Sequence, residues 1–151
     1  MSLPFRRFGR TNLKIPVLSL GGMRFQQSWN HLDSSEITLK QRSKVDNLLK
    51  LANKYGFNHI ETALHYGTSE LELGFAIRNS CRESIILQTK IPPNENVNIF
   101  TENLENSFKN LKVAKIDLVA IHGLNNEDHL FQSIRDGGCV DVLRKFQKKG
   151  L

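Results

Sequence analysis

The fold is decided by the stretch Phe57-Asn58-His59-Ile60-Glu61-Thr62-Ala63-Leu64-His65-Tyr66-Gly67. A short apolar run that ends in polar residues and a glycine is typical of a buried strand followed by a tight loop. Two later apolar runs also end in a polar residue, one at Lys90 and the other at His122. We therefore predict buried parallel strands that each carry polar side chains at the carboxyl end.

Helical patterns alternate with these strands along the chain. A hairpin is predicted at 5–8 and 13–15, and further strands at 17–20, 57–62, 85–89 and 116–121. Helices are predicted at 37–55, 69–79, 101–111 and 141–149, with 24–35 as a long polar loop. Ser69 followed by Glu72 fits a capping box at the start of the second helix. The alternation predicts an α/β fold of about four βα units with a parallel sheet.

A flavodoxin-like or Rossmann-like sheet is the competing architecture. Such folds bind a nucleotide at a glycine-rich turn, GxGxxG, that leads directly from the first strand into a helix. Here the turn is Gly21-Gly22-Met23-Arg24, and the long loop follows it in place of a helix. This departure favours a barrel of parallel strands, with 17–20 as a short buried strand.

The net charge of +6 comes from 21 basic and 15 acidic residues. Most basic residues are scattered, and the two clusters lie near the C-terminal ends of predicted helices, where cations suit the helix dipole. The clusters are Lys109, Lys112 and Lys115, and Arg144, Lys145, Lys148 and Lys149. Solvated helix faces therefore explain the charge better than a nucleic-acid partner does.

Location and redox state are also suggested by composition. The two cysteines, Cys81 and Cys139, are far apart and outside any CxxC pattern, so neither a disulfide framework nor a metal site is expected. No run approaches the ~18 apolar residues of a membrane span. The first ten residues lack the apolar stretch of a signal peptide. We expect a cytoplasmic protein with no membrane partner.

Glu61, Tyr66, Lys90 and His122 are the candidate catalytic residues, and we call them the strand-end cluster. In a parallel barrel the carboxyl ends of the strands converge, so residues distant in sequence become neighbours there. An acid, a phenol, an amine and an imidazole in one pocket are the parts of a proton-transfer site. Taken singly, each has an ordinary alternative, such as an exposed lysine at a strand end.

Charge pairing links the members of this cluster. A tyrosine that donates a proton at neutral pH needs its pKa lowered from about 10, and a nearby ammonium such as Lys90 stabilises phenolate. An inward carboxylate is costly unless it is paired, so Glu61 is expected to pair with Lys90. His59 shares strand parity with Glu61, and we interpret it as a hydrogen-bonded core histidine.

The chain resembles the N-terminal half of an aldo-keto reductase. The resemblance covers nearly the whole chain in the right order. The matching stretches are Phe5-Arg6-Arg7-Phe8-Gly9-Arg10-Thr11, Leu18-Ser19-Leu20-Gly21-Gly22-Met23, Gly56 to Ala63, Tyr66-Gly67-Thr68-Ser69-Glu70, and the strands that end at Lys90 and His122.

The resemblance implies a (β/α)8 barrel of the TIM type that reduces an aldehyde or ketone with NADPH. The family's catalytic tetrad is Asp, Tyr, Lys and His, and the last three correspond to Tyr66, Lys90 and His122. Glu61 stands where the family has Asp, one methylene shorter. The resemblance also implies that four residues contact the cofactor, namely Gly22, Met23, Arg24 and Glu61.

Family members are roughly twice as long, as a full barrel of ~250 residues requires. Residues 1–151 thus correspond to the opening hairpin and four βα units, and Leu151 falls where the fifth strand should begin. We expect this half to lack most of the NADPH site, to be inactive alone, and to self-associate or pair with a C-terminal half-barrel. The alternatives are a non-enzymatic half-barrel remnant that acts by association, or a separate small α/β binding domain.

Overall fold

Six strands and five α-helices lie in residues 3–79 and 82–151, the part of the chain that the computed structural model describes. Cys81 lies outside these residues. The strands are β1 Phe5–Arg7, β2 Lys14–Pro16, β3 Leu20–Gly21, β4 His59–Glu61, β5 Ile86–Ile91 and β6 Leu118–Ile121. The helices are α1 Leu39–Lys54, α2 Ser69–Asn79, α3 Val97–Leu111, α4 Glu127–Ile134 and α5 Cys139–Lys148.

The chain opens with an antiparallel hairpin, in which β1 pairs with β2 and Arg6 stands opposite Ile15. The connecting turn places Gly9 and Asn12 at positive φ, +54° and +62°, a conformation that glycine and asparagine adopt more readily than other residues. This hairpin confirms the sequence-based prediction.

A parallel sheet of four strands follows, in the order β3-β4-β5-β6. Ile60 of β4 lies between Leu20 of β3 and Leu87 of β5, so the buried residues of neighbouring strands are in register. Successive strands are joined by α1, α2 and α3, which is the βαβ arrangement predicted from the sequence. All four strands therefore end at the same edge of the sheet.

The core lies between this sheet and the helices. Along β5, Leu87, Thr89 and Ile91 are fully buried and alternate with the partly exposed Gln88 and Lys90. One face of β5 therefore packs in the core and the other is partly open to solvent, since alternate side chains of a strand point to opposite faces. Two clusters fill the core, one with Phe25, Val45, Leu49, Ile60, Leu73 and Leu87, the other with Ile91, Phe100, Leu104, Cys139 and Val142.

Local hydrogen bonds set the helix starts. Thr38 caps α1 by accepting from the Gln41 amide at 3.2 Å, and Asn96 caps α3 by accepting from the Asn98 amide at 3.0 Å. The Asn96 cap makes α3 begin four residues before the predicted start at 101. The predicted role of Ser69 as a cap is wrong, because Ser69 is already the first residue of α2.

The predicted buried strand at 17–20 is wrong in extent and burial. Only Leu20 and Gly21 pair with β4, while Val17 and Leu18 are 49% and 55% exposed. The reason is that the Val17 amide donates to the carbonyl of Pro4 at 3.0 Å and so continues the hairpin.

Helix α4 was not predicted, because it lies inside a polar stretch after β6. A recognisable signal was present, since Asn126 caps the helix by accepting from the His129 amide at 2.8 Å and two acidic residues occupy the first turn. Within the described residues, none of the helices has the length and apolar character that crossing a bilayer requires.

Candidate active site

The strand-end cluster is brought together by three adjacent strands. Glu61 is the last residue of β4, Lys90 is the last but one of β5, and His122 follows β6 directly. Tyr66 lies in the loop between β4 and α2, where its amide donates to the Ala63 carbonyl at 3.0 Å. All four residues are therefore at the carboxyl edge of the sheet, as the sequence analysis expected.

Lys90 is the centre of the cluster. Its Nζ donates to Glu61 Oε2 in a short ion pair, to Tyr66 Oη at 3.2 Å and to the Thr62 carbonyl oxygen at 3.2 Å. A lysine ammonium has three donors, and each of them has a partner here. The same nitrogen lies 4.7 Å from the centroid of the Tyr66 ring. The acid, the amine and the phenol are thus one connected hydrogen-bonded group.

Burial tunes the electrostatics of this group. The Lys90 and Glu61 side chains are 19% and 23% exposed, so water screens their interaction only in part. Burial lowers the pKa of Lys90 from its ordinary value, because an ammonium loses hydration when it leaves water. The carboxylate of Glu61 is the neighbouring negative charge that stabilises the ammonium.

His122 lies beside Tyr66. The two rings meet edge to face with centroids 5.6 Å apart, and the His122 amide is held by the Ile91 carbonyl at 2.8 Å. Burial lowers the pKa of His122, and the nearby Lys90 and His65 lower it further. The imidazole is therefore neutral at neutral pH and can hydrogen-bond to an uncharged substrate oxygen.

His59 belongs to the core, as predicted, and not to the strand-end cluster. It is 5% exposed, with Nδ1 2.7 Å from Ser19 Oγ and Nε2 3.0 Å from Gln88 Oε1. Burial is the main cause that lowers the pKa of His59, which favours the neutral ring. With both nitrogens hydrogen-bonded, His59 links β4 to β5 and to the segment before β3.

The burial of two carboxyl groups of α2, Glu70 and Glu72, was not predicted; Glu72 was expected only in a capping box. Glu72 accepts from the Gln27 amide at 2.6 Å and from Thr68 Oγ1 at 2.8 Å, and Glu70 accepts from Thr89 Oγ1 at 2.6 Å. Acidic residues in a first helical turn are usually explained by the helix dipole, so their burial could not be expected from the sequence alone. Glu70 therefore holds β5, and Glu72 holds the loop after β3.

The candidate cofactor residues lie where β3 ends, beside Glu61. The Gly22 amide donates to the Glu61 carbonyl at 2.7 Å, and a Cβ at Gly22 would lie 2.9 Å from that oxygen. A Cβ at Gly21 would lie 3.1 Å from Glu61 Oε1. Met23 is 40% exposed and Arg24 is exposed. A strand end bare of side chains, followed by an exposed guanidinium, fits one part of an anionic dinucleotide.

Comparison with known proteins identifies the family of this chain. The model of the aldo/keto reductase family matches residues 17–151. The chain therefore belongs to the aldo/keto reductase family, and the resemblance seen in the sequence is confirmed.

Individual relatives agree with this assignment. The chain is 35% identical over 88 residues to human aldo-keto reductase family 1 member C2, a match that covers 54% of this chain and 27% of that protein. A Pseudomonas aeruginosa structure described as an aldo-keto reductase is 27% identical, with a TM-score of 0.78 over 97% of this chain and 57% of that one.

A third match supports the fold alone. The holo form of an aldo-keto reductase from Bacillus halodurans is 22% identical, with a TM-score of 0.73 over 98% of this chain and 47% of that one. The chain thus spans about half the length of the solved structures it matches. The α/β architecture, a hairpin followed by a parallel sheet with helices, corresponds to about half of a TIM-type barrel, as predicted.

Proposed function

We propose that this chain carries the proton-transfer half of an aldo-keto reductase that reduces an aldehyde or ketone with NADPH. The observation that carries the proposal is the position of Lys90 Nζ, which contacts both Glu61 and Tyr66 Oη at the carboxyl edge of the sheet. A phenol hydrogen-bonded to an ammonium is suited to give up a proton, because the ammonium stabilises the resulting phenolate. The roles below follow from that geometry.

Tyr66 is the proposed proton donor to the carbonyl oxygen of the substrate. Lys90 stabilises the phenolate that remains, and Glu61 holds Lys90 in place. The neutral His122 donates a hydrogen bond that orients the carbonyl beside the Tyr66 hydroxyl. When bound, the nicotinamide cofactor supplies the hydride that reaches the carbonyl carbon.

Gly22, Met23, Arg24 and Glu61 are the proposed cofactor contacts within this chain. They form one edge of the proposed site, since Gly22, Met23 and Arg24 follow β3 directly and Glu61 of β4 pairs with Gly21. Hydride transfer requires a cofactor held in a near-attack geometry, to which a single edge contributes little. We therefore propose that NADPH binding depends on a C-terminal half-barrel, and that the working protein is cytoplasmic.

The test joins the 151-residue chain to the C-terminal half-barrel of a relative and measures NADPH consumption with a panel of aldehydes and ketones. We expect turnover on the order of 1 s⁻¹ or more from the joined protein, a rate ordinary for enzymes. The chain alone should show negligible turnover and weak NADPH binding by fluorescence. A folded joined protein that binds NADPH and reduces none of the carbonyls would contradict the proposal.

Association without catalysis is the second candidate function, and the sheet edges favour it. Strands β3 and β6 are the outer strands of the four-stranded sheet in the described part of the chain. Open strand edges pair readily with other chains. We propose that these edges receive a C-terminal half-barrel or a second copy of the chain. An inactive joined protein whose halves still bind each other would favour this candidate.

A further inference from the structure

We propose that Glu70 is a positioning residue, whose buried carboxyl group holds Thr89 and thereby sets the position of Lys90 relative to Tyr66. The inference rests on the proposed function, because Lys90 and Tyr66 are the groups whose separation it controls. The contact at issue is the one between Lys90 Nζ and Tyr66 Oη, at 3.2 Å.

Strand β5 carries both Thr89 and Lys90. Thr89 and Lys90 are consecutive, so their side chains point to opposite faces of the sheet. Lys90 points to the strand-end cluster, and Thr89 is fully buried on the helix side. Thr89 Oγ1 donates to Glu70 Oε1 at 2.6 Å. A hydrogen bond of this length fixes the residue next to Lys90, and with it the backbone from which Lys90 projects.

Helix α2 carries Glu70. Glu70 is four residues after Tyr66, in the first turn of the helix that the Tyr66 loop enters. Its other oxygen, Oε2, accepts from Asn110 Nδ2 of α3 at 3.1 Å. One carboxyl group therefore joins three elements: the helix that follows Tyr66, the strand that carries Lys90, and α3 behind them.

Burying the carboxyl group of Glu70 costs free energy of desolvation. Glu70 is 1% exposed, and burial raises its pKa above the ordinary value although hydrogen bonds from Thr89 and Asn110 oppose the rise. A leucine or methionine would fill similar space without that desolvation. Apolar contacts are non-directional, whereas a hydrogen-bonded carboxyl group defines the spacing of its partners. Directionality is what positioning Lys90 requires.

Glu72 provides a matched control on the same helix. It is fully buried, and burial raises its pKa as it does for Glu70. Its contacts go to the Gln27 amide and to Thr68 Oγ1, so it holds the loop after β3 and not β5. A general loss of stability should appear in variants of either residue. Misplacement of Lys90 should appear only in variants of Glu70 and of its partner Thr89.

The experiment uses Thr89→Val, which keeps the shape of Thr89 and removes its hydroxyl, in the chain joined to a C-terminal half-barrel. A misplacement of about 1 Å can reduce a rate by about 10²-fold. We expect kcat to fall by about 10- to 100-fold in Thr89→Val and in Glu70→Leu, with the KM for NADPH unchanged. Thr89→Ser and Glu70→Gln should restore most of kcat, because both keep the hydrogen bond. Glu72→Gln should leave kcat near the parent value.

The positioning role would be overturned if Thr89→Val and Glu72→Gln lost kcat equally and if these losses followed the stabilities of the two variants to urea. Tyr66→Phe in the same assay separates the two proposals. A Tyr66→Phe variant with normal kcat contradicts the proposed function, whereas a loss there with none in Thr89→Val contradicts only the role of Glu70.

A second measurement answers the question without turnover. In the joined protein, the ¹³Cε signal of Lys90 can be assigned with Lys90→Arg. We expect the Tyr66 ring to shift this signal, since the ring centroid lies 4.7 Å from Lys90 Nζ. We expect Thr89→Val to move it toward the ordinary lysine position and Glu72→Gln to leave it in place. An unmoved signal in Thr89→Val would overturn the proposal.

Discussion

At the scale of single residues, one ammonium connects the acid and the phenol of the strand-end cluster. Lys90 has no donor left over after it has bonded to Glu61, Tyr66 and the Thr62 carbonyl. Its position therefore depends on the length of Glu61, which is one methylene longer than the aspartate of the family pattern. The sheet accommodates the longer side chain beside Gly21, whose missing Cβ would lie 3.1 Å from Glu61 Oε1.

Glu61→Asp tests whether this longer acid is matched to its surroundings. In the joined protein, a carboxylate drawn back by one methylene should bind Lys90 more weakly and so lower kcat. The effect should be roughly 10-fold, within the range that misplaced catalytic groups produce. Steady-state kinetics at saturating NADPH measures it. An unchanged or higher kcat would show that Lys90 is held by other groups.

Glu70 should give the chain a stability that falls as pH rises. Burial raises the pKa of Glu70 above its value in the unfolded chain, so the folded state favours the protonated acid. Its stabilisation is therefore complete below the unfolded pKa of about 4.3 and is lost as pH rises through the higher folded pKa. Glu70→Gln should flatten this part of the profile of urea midpoint against pH. Identical profiles for parent and variant would contradict the prediction.

At the scale of elements, the loop after β3 is locked onto the start of α2. The Thr68 amide donates to the Ser28 carbonyl at 2.9 Å, and the Ser28 amide donates to Thr68 Oγ1 at 3.1 Å. Gly67 permits this approach, since it has φ of +56° and its missing Cβ would lie 2.1 Å from the Ser28 oxygen. These contacts between Ser28 and Thr68 hold Gly67, the residue that follows Tyr66, in place.

Gly67→Ala should destabilise the chain far more than a glycine replacement in open space. Gly56→Ala is the control, because Gly56 has φ of +83° and an added Cβ would meet nothing within 4 Å. Left-handed backbone at alanine costs about 1–2 kcal/mol, which is the loss expected for Gly56→Ala. Gly67→Ala adds a clash with backbone atoms and should lose clearly more in urea unfolding. Equal losses would show that the loop is not packed as described.

The sequence was a good guide to the parallel strands and to the residues at their ends. Apolar runs such as the one before His122 identify strands, and parallel strands bring their carboxyl ends together whatever their spacing in the chain. The predicted burial of that strand was wrong, because β6 is an outer strand of the sheet and is only partly buried. Contacts that cross between elements were not predictable. Thr89 and Glu70 are 19 residues apart, and their hydrogen bond depends on how α2 packs against β5. The exposure of Val17 likewise depends on its bond to Pro4.

At the scale of the whole molecule, the sheet presents apolar surface beside its outer strands. A groove of about 460 Å³ lies next to β6, lined in part by Leu118, Leu143 and Phe146. On the other outer strand, Val17 and Leu18 precede β3 and are about half exposed. In the solved structures of the family, which are about twice as long, further chain is available to cover such surfaces.

The 151-residue chain should therefore self-associate at micromolar concentration. Unpaired strand edges next to exposed apolar side chains recruit other chains, and a charge on the edge suppresses this pairing. Sedimentation velocity should show dimers or larger species for the parent chain and less association for Leu18→Lys. A compact, cooperatively unfolding monomer of the parent chain would contradict the prediction.

The Tyr66→Phe variant of the joined protein tests the central claim most directly, namely that Tyr66 donates the proton in a cluster built around Lys90. The substitution removes only the hydroxyl, so NADPH affinity should remain near that of the parent. General acid catalysis contributes ~10²–10⁴-fold, and kcat should fall by at least that much. A Tyr66→Phe protein that keeps near-normal kcat would show that the proton comes from another group and would contradict the assigned role of the cluster.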